Sequence, residues 1–527
     1  MSVSGSRAVI AIDSAACSEH RSDPLSVGKL LTIEAGHSRS VALIYEAEAG
    51  GPSQPDVMLA RVELLGEIRP VEETGKAYFD RGIRTYPAVG APAHEIDPPS
   101  LETIYKYEGQ QTITIGTLTQ DARIKATLQV QDLLQKHFAV LGTTGCGKSS
   151  AVALILDQVM KATDATRVLL IDPHNEYRSA LRGSAEIISP SNLNLPFWLF
   201  NFEELIDVIY RRRPGVAEEV DALADLIPAA KARYALSAEQ GSALLRRDPD
   251  AGGYTVDSPV PYRMHDVLAL IDEQLGKLDT KEDRPKLRRL KSRIESVIHD
   301  VRYQFMFSSR TIEDTMADVL RTLFRIPAAG KRITILELAG FAPEVVDAVV
   351  SVLCRLAFDV GVWGGGRVPL LVACEEAHRY VPADKRLGFG PTRRSISRIA
   401  KEGRKYSVYL GLITQRPAEL DPTILSQCST IFAMRMANET DHAIIRSAVS
   451  DAAASTLASL PSIGNREAIA FGEAVSMPMR VRFADLPSEQ LPANRLPSLR
   501  ATLSEVETSD FVEDVVRRWR SVARRER

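Results

Sequence analysis

Cysteine is scarce, with five residues in 527: Cys17, Cys146, Cys354, Cys374 and Cys428. None forms a C-x-x-C pair, which argues against a zinc ribbon or a disulfide framework as the source of stability. Aromatic residues make up only 6% of the chain. No apolar run approaches the length of a bilayer-spanning helix. The N-terminus reaches Asp13 before any long apolar stretch, so no secretory leader is expected and the expected location is cytoplasmic. Charge of one sign is also missing: 65 Lys and Arg stand against 68 Asp and Glu, for a net −3. A chain coated in basic charge for nucleic acid is therefore excluded, although a local basic channel is not. What remains, 45% apolar and 25% charged residues, is ordinary for soluble globular protein. The length exceeds one compact core and calls for two to four domains.

Up to about Ile115 the chain lacks long helical periodicity. Short β-like runs recur at Leu30–Ile33, Ser40–Tyr45, Val57–Val62 and Thr112–Ile115, separated by clusters such as Gly50-Gly51-Pro52. That pattern predicts a small β-barrel or sandwich. A core strand is expected at Arg167–Asp172 and the next at Ile333–Leu338. The gap between them reads as a helical insertion, with helices over Phe202–Arg211, Ala217–Leu226, Met264–Leu278 and Leu287–Phe305. Its charged stretch Lys281–Arg293 reads as a solvated helix face, with contact to DNA as the alternative. A helix over Pro343–Val360 follows, then strands at Pro369–Cys374, Val408–Thr414, Thr430–Met436 and Glu467–Phe471. This alternation predicts an α/β fold, a mostly parallel sheet with helices on both faces. The tail Ser509–Arg527 reads as a helix rich in arginine, open to three uses: nucleic acid, a neighbouring subunit, or plain solvent.

The residues Gly142-Thr143-Thr144-Gly145-Cys146-Gly147-Lys148-Ser149 fit G-x-x-x-x-G-K-[ST], the phosphate-binding loop of NTPases. The context agrees: the buried-type strand Phe138–Leu141 precedes the loop and a helix from Ser150 to Met160 follows. Backbone N–H groups of Thr144, Gly145, Cys146, Gly147 and Ser150 are placed to curl around phosphates at a helix N-terminus. Lys148 is expected to reach the β- and γ-phosphates of ATP, and the Ser149 hydroxyl to ligand Mg²⁺. Cys146 reads as a small loop filler.

The strand Pro369–Cys374 ends in Glu375-Glu376-Ala377-His378. Two acids at such a strand end serve phosphoryl transfer: Glu375 to support Mg²⁺, directly or through water, and Glu376 to polarise the attacking water. Gln415, at the tip of Val408–Thr414, is placed to sense the γ-phosphate. Arg404 and Arg398 are candidates for stabilising the transferring phosphoryl group, in cis or from a neighbouring subunit.

Together these motifs resemble the HerA family of hexameric DNA-translocating ATPases, relatives of FtsK. The resemblance rests on the loop Gly142–Ser149, on Asp172-Pro173-His174-Asn175-Glu176-Tyr177, on Glu375-Glu376-Ala377-His378-Arg379-Tyr380, and on Gly403-Arg404-Lys405-Tyr406 with Gln415-Arg416-Pro417. Leu460–Gly464 and Glu467–Gly472 also look like the family's C-terminal core. Asn175 stands where glycine is common and Glu375 where aspartate is common. The resemblance implies a RecA-like P-loop NTPase core with an N-terminal β-barrel and a helical insertion. The implied domains are a barrel over 1–120, core over 121–197, insertion over 198–330, core again over 331–490, and a helical tail over 491–527. It implies a homohexameric ring, with double-stranded DNA in the pore and an effector on the barrel: a NurA-like nuclease, or a Sir2-like or other nuclease effector. DNA end processing and anti-phage defence are both open. Lys136 matches a basic residue that contacts nucleotide in the family. The basic loop Ala383–Arg394 is a candidate for tracking phosphates. Two other readings stay open, a protein-remodelling ATPase and an ATP-gated scaffold that activates an effector.

Overall fold

A computed structural model describes residues 2–13, 27–49, 57–70, 76–107, 111–211, 213–239, 253–276, 284–307, 312–448 and 456–492, with Glu513 and Val516. The Gly50–Pro52 cluster, Cys17 and nearly all of the C-terminal tail lie outside them. Strands β1 to β7 are Ser2–Ser4, Arg7–Asp13, Leu30–Ala35, Ser38–Ala49, Val57–Pro70, Ala77–Asp80 and Ala93–Glu95. Strands β8 to β12 are Thr112–Leu118, Lys125–Gln129, Phe138–Leu141, Arg167–Asp172 and Ala185–Ile188. Strands β13 to β18 are Ile333–Glu337, Leu370–Cys374, Val408–Thr414, Thr430–Met434, Glu467–Gly472 and Met479–Phe483. The chain divides into two compact units. No helix among the described residues is long and apolar enough to cross a membrane.

The first unit comprises residues 1–166, 366–387 and 399–491. Its N-terminal part is an antiparallel sheet of order β1-β2-β5-β4-β3-β7, with β6 on β5. Alternation along these strands sends Ile10, Leu31, Ile33, Ala42, Ile44, Ala60, Val62 and Leu64 into one shared core. Register shifts between Val41 and Ala42 and between Ile44 and Glu46 bend β4 against β5. The rest of the unit is a sheet of order β14-β15-β10-β16-β17-β18-β8-β9. The pairs from β14 to β16 are parallel, and those from β16 to β9 antiparallel. Every residue of β10, β14, β15 and β16 is buried. Their near-continuous apolar runs are what a parallel sheet covered on both faces requires. Each fully buried Leu, Ile, Val or Phe there contributes about 1.5–3 kcal/mol.

Two expectations change in this unit. Thr112–Ile115 reads in sequence with the N-terminal β-runs, yet β8 pairs with β18 and β9 and belongs to the core sheet. The sheet is also parallel only over part of its width, because β16 to β9 form a meander.

The second unit comprises residues 167–365, 388–398 and 492–527. Its strands run in parallel order β12-β13-β11. Strand β12 falls in the first core segment, 121–197, where the sequence predicts no strand after Arg167–Asp172. Four residues with a charge among them, Ala-Glu-Ile-Ile, give periodicity too little to work with. The insertion is helical. The helix from Ala217 outruns expectation and reaches Glu239, passing through Pro228. In Arg284–Ile298 the residues Leu287, Leu290, Ile294 and Val297 recur at helical spacing and are buried. Three of its basic residues are paired with acids. Arg289 and Arg293 hold the buried Glu219 at 3.1 and 3.0 Å, Tyr210 donates to the same carboxylate at 2.8 Å, and Lys291 holds Asp272 at 2.7 Å. Two guanidiniums and a phenol are what a carboxylate removed from water requires.

Candidate active site

The phosphate loop leaves the carboxyl end of β10 and is tied to both neighbouring strand tips. Gly142 N–H donates to the Thr414 carbonyl at 3.3 Å, and Thr143 donates to the Arg435 carbonyl through its amide and its hydroxyl, each at 3.0 Å. Gly145 and Gly147 take φ of +78° and +103°, conformations that a side chain would strain. A Cβ on Gly142 would stand 2.7 Å from Met434 Cβ and 2.9 Å from Cys146 Sγ, so the chain passes there only without one. A Cβ on Gly145 would meet nothing within 4 Å, so the loop's mouth is open space. That space, bounded by loop amides and the N-terminus of helix Lys148–Ala162, suits a phosphate chain. Lys148 is buried and its Nζ donates to the Thr143 carbonyl at 3.0 Å, which keeps the ammonium inside the loop. Ser149 and Ser150 follow on the first turn, half-buried.

Cys146 is fully buried, with Sγ 3.9 Å from Met434 Sδ. Burial pushes its thiol up from the ordinary cysteine value. A protonated, covered thiol is a poor nucleophile. Slow reaction with maleimide in the folded protein is expected, and Cys146→Ser should keep turnover close to that of the unaltered chain. Fast labelling that silences the enzyme would contradict the filler role.

Strand β14 delivers the two acids. Glu375 and Glu376 are both buried at its end. Glu376 has φ +52°, a left-handed conformation uncommon for a residue with a side chain. It opens the short helical turn Ala377–Arg379. His378 Nδ1 stands 3.2 Å from Glu376 Oε2 and 2.9 Å from Thr414 Oγ1. Burial is the main cause that lowers the basicity of His378, leaving it neutral near pH 7. Gln415 follows Thr414, and the Thr144 hydroxyl donates to its Oε1. The loop and Gln415 are therefore in direct contact.

The structure does not bring Arg404 or Lys136 to the loop of their own chain. Arg404 Nη2 donates to the carbonyls of Lys136 and Gln427 at 2.9 and 2.6 Å, and to Ser429 Oγ at 3.0 Å. All three acceptors precede β10 or β16, whereas the loop follows β10. The four-residue strand β10, roughly 13 Å of extended chain, lies between Lys136 and Gly142. The Lys136 ammonium is held there by Asp132 at 2.8 Å and by Glu473. Arg398 belongs to the second unit, with its guanidinium 4.1 Å over the Phe358 ring. In the basic loop, Arg386 pairs with Asp384 at 2.8 Å and Arg394 with Glu203.

One feature escaped the sequence reading, and another gains its explanation. Arg466 packs on the loop, its N–H donating to the Cys146 carbonyl at 2.9 Å and its Cγ lying 3.2 Å from a Cβ placed on Gly147. Asn175 adopts φ +57° and its side chain accepts from Ala339 N–H at 3.2 Å. The left-handed conformation tolerates glycine and asparagine best, which accounts for Asn where glycine is common. Nearby, the buried Asp172 accepts the Tyr177 N–H at 3.0 Å, and burial raises its pKa.

Residues 113–357, which include the phosphate loop and the helical insertion, match the family described as "Helicase HerA, central domain". Over that span the chain resembles the HerA family. HerA-type relatives extend the match well beyond the central domain. The "DNA double-strand break repair helicase HerA" of Pyrococcus furiosus is 25% identical over 496 residues, covering 87% of this chain and 83% of that protein. The protein of the same description from Saccharolobus solfataricus is 24% identical over 507 residues, 93% of each chain. Among solved structures, VirB4 of Thermoanaerobacter pseudethanolicus superposes with a TM-score of 0.51 at 15% identity, covering 73% of this chain and 99% of that one. That likeness supports the RecA-like P-loop fold. With its loop, paired acids and family, the protein is an ATPase.

Proposed function

We propose that this chain couples ATP hydrolysis to movement along double-stranded DNA, working as a homohexameric ring. The observation that carries the reading is the contact of the phosphate loop with Gln415, beside a Thr414 that is linked through His378 to Glu376, in a chain whose relatives are described as DNA repair helicases over most of their length. Lys148 and the loop amides bind the β- and γ-phosphates. Ser149 and Glu375 hold Mg²⁺, which supplies charge neutralisation to the phosphates when bound. Glu376 accepts a proton from the attacking water, and Gln415 registers the γ-phosphate through its link to Thr144. Phosphate-backbone contact suits a motor that must ignore sequence.

The N-terminal sheet serves as the barrel on which an effector docks, of NurA-like or Sir2-like class or another nuclease. Tyr78, Tyr86 and Val89 are exposed there, residue types that anchor partners. The deciding measurement is ATP turnover with and without linear duplex DNA. Stimulation of about tenfold or more is expected, since a translocase gates hydrolysis on its track, and it should weaken steeply as salt rises. A rate indifferent to duplex DNA at low salt would remove the DNA reading and favour a protein substrate.

A further inference from the structure

Thr414 is fully buried at the tip of β15, and its Oγ1 accepts the Arg416 N–H at 3.0 Å. His378 Nδ1 bonds to that same oxygen at 2.9 Å and lies 3.2 Å from Glu376 Oε2. An ionised carboxylate only accepts, so this approach is favourable when the hydrogen sits on Nδ1. The Nδ1 hydrogen then serves Thr414 Oγ1, while Glu376 Oε2 approaches the same nitrogen at 3.2 Å without accepting a hydrogen bond. Four charged groups face the ring. Glu376 and Glu419 favour its protonation, Arg416 and Arg379 oppose it, and burial outweighs them all. Arg416 and Glu419 also pair with each other at 2.8 Å, which reduces the pull of either.

The contacts form a continuous path. Thr144 of the loop touches Gln415, Gln415 follows Thr414, Thr414 holds His378, and His378 stands against Glu376. Glu376 needs an external hold because its own backbone is left-handed and begins a turn of three residues. We propose that His378 is the positioning residue of the base, fixing the Glu376 carboxylate to the strand tip that carries Gln415. One oxygen of Glu376 is thereby set against the imidazole edge. Contact between the γ-phosphate and Gln415 is transmitted to the base through Thr414 and His378. This inference rests on Glu376 being the base.

The test is steady-state phosphate release, with ATP affinity and melting temperature measured on the same samples. His378→Ala is expected to lower kcat about 10- to 100-fold, the cost of a base misplaced by about an ångström, with ATP affinity unchanged. His378→Asn, whose amide N–H can serve the same carboxylate oxygen, should recover part of that loss. Thr414→Val removes the hydroxyl at nearly constant volume and should lower kcat in the same direction. Wild-type kcat in His378→Ala would overturn the proposal. So would a fall in kcat matched by falls in ATP affinity and melting temperature and not relieved in His378→Asn, which is the pattern of a merely structural histidine. Glu376→Gln separates this claim from its parent. Full turnover in Glu376→Gln means that the base is elsewhere. A stalled Glu376→Gln beside an unaffected His378→Ala removes only the role of the histidine.

Discussion

A Lys148→Ala chain is expected to lose tight ATP binding and turnover together, while a Glu376→Gln chain keeps ATP and stalls. The Lys148 ammonium is buried within the loop and bonded to the Thr143 carbonyl. On the proposed reading, it is held where the β- and γ-phosphates would bind. Two charge-assisted hydrogen bonds at about 1.5–3 kcal/mol each amount to roughly 3–6 kcal/mol, or about 10²- to 10⁴-fold in Kd. Glu376 makes no contribution of that kind, since a carboxylate beside a phosphate does not favour binding. Its replacement removes only the group that takes a proton from water, a loss of about 10²- to 10⁴-fold in kcat. Equilibrium binding of a fluorescent ATP analogue, paired with phosphate release, separates the two. Normal turnover in Glu376→Gln would end its assignment as base. Normal ATP affinity in Lys148→Ala would mean that the phosphates sit outside this loop.

The ease of reading these two residues has a physical cause. A phosphate loop is a contiguous device: eight successive residues carry the turn, the amides, the charge and the helix start. The acid pair is contiguous as well, at the end of an apolar strand. Local sequence therefore contains them in full. Strand β12 and the pairing of β8 with β18 are different, because each depends on partners far away in the chain. Arg466 reaches the loop only because β17 runs antiparallel to β16 and so starts where β16 ends. His378 stood inside a recognised motif, but its link to Thr414 needs the register of β14 against β15. One feature was within reach of the sequence and went unused. In a parallel sheet, residues before a strand sit at the opposite end from residues after one. Lys136 precedes β10 and Arg404 precedes β15, so neither can share an end with Gly142–Lys148.

That geometry turns the role of Arg404 into a question about assembly. Gly403 lets the chain turn tightly before β15, since a Cβ there would stand 2.3 Å from the Val408 carbonyl oxygen. The turn presents Arg404 at the exposed amino end of the sheet, bonded to Lys136, Gln427 and Ser429. The length of β10, roughly 13 Å, lies between this end and the loop, beyond the span of an arginine side chain. If Arg404 stabilises phosphoryl transfer, the phosphate belongs to a neighbouring copy. Arg404→Ala is therefore expected to cut turnover about 10³-fold or more, with ATP affinity on the chain's own loop retained. Mixing it with Lys148→Ala protein should restore part of the activity. In mixed rings, some interfaces join a sound loop from the Arg404→Ala copy to a sound arginine from the Lys148→Ala copy. Activity should peak at an intermediate ratio and vanish at either extreme. A flat, inactive mixing curve would assign Arg404 to bracing the ends of β10 and β16, and a lowered melting temperature in Arg404→Ala would then accompany it. Arg398→Ala in the same mixing series serves as the competitor. Recovery there and not with Arg404→Ala would move the trans assignment to the arginine stacked on Phe358.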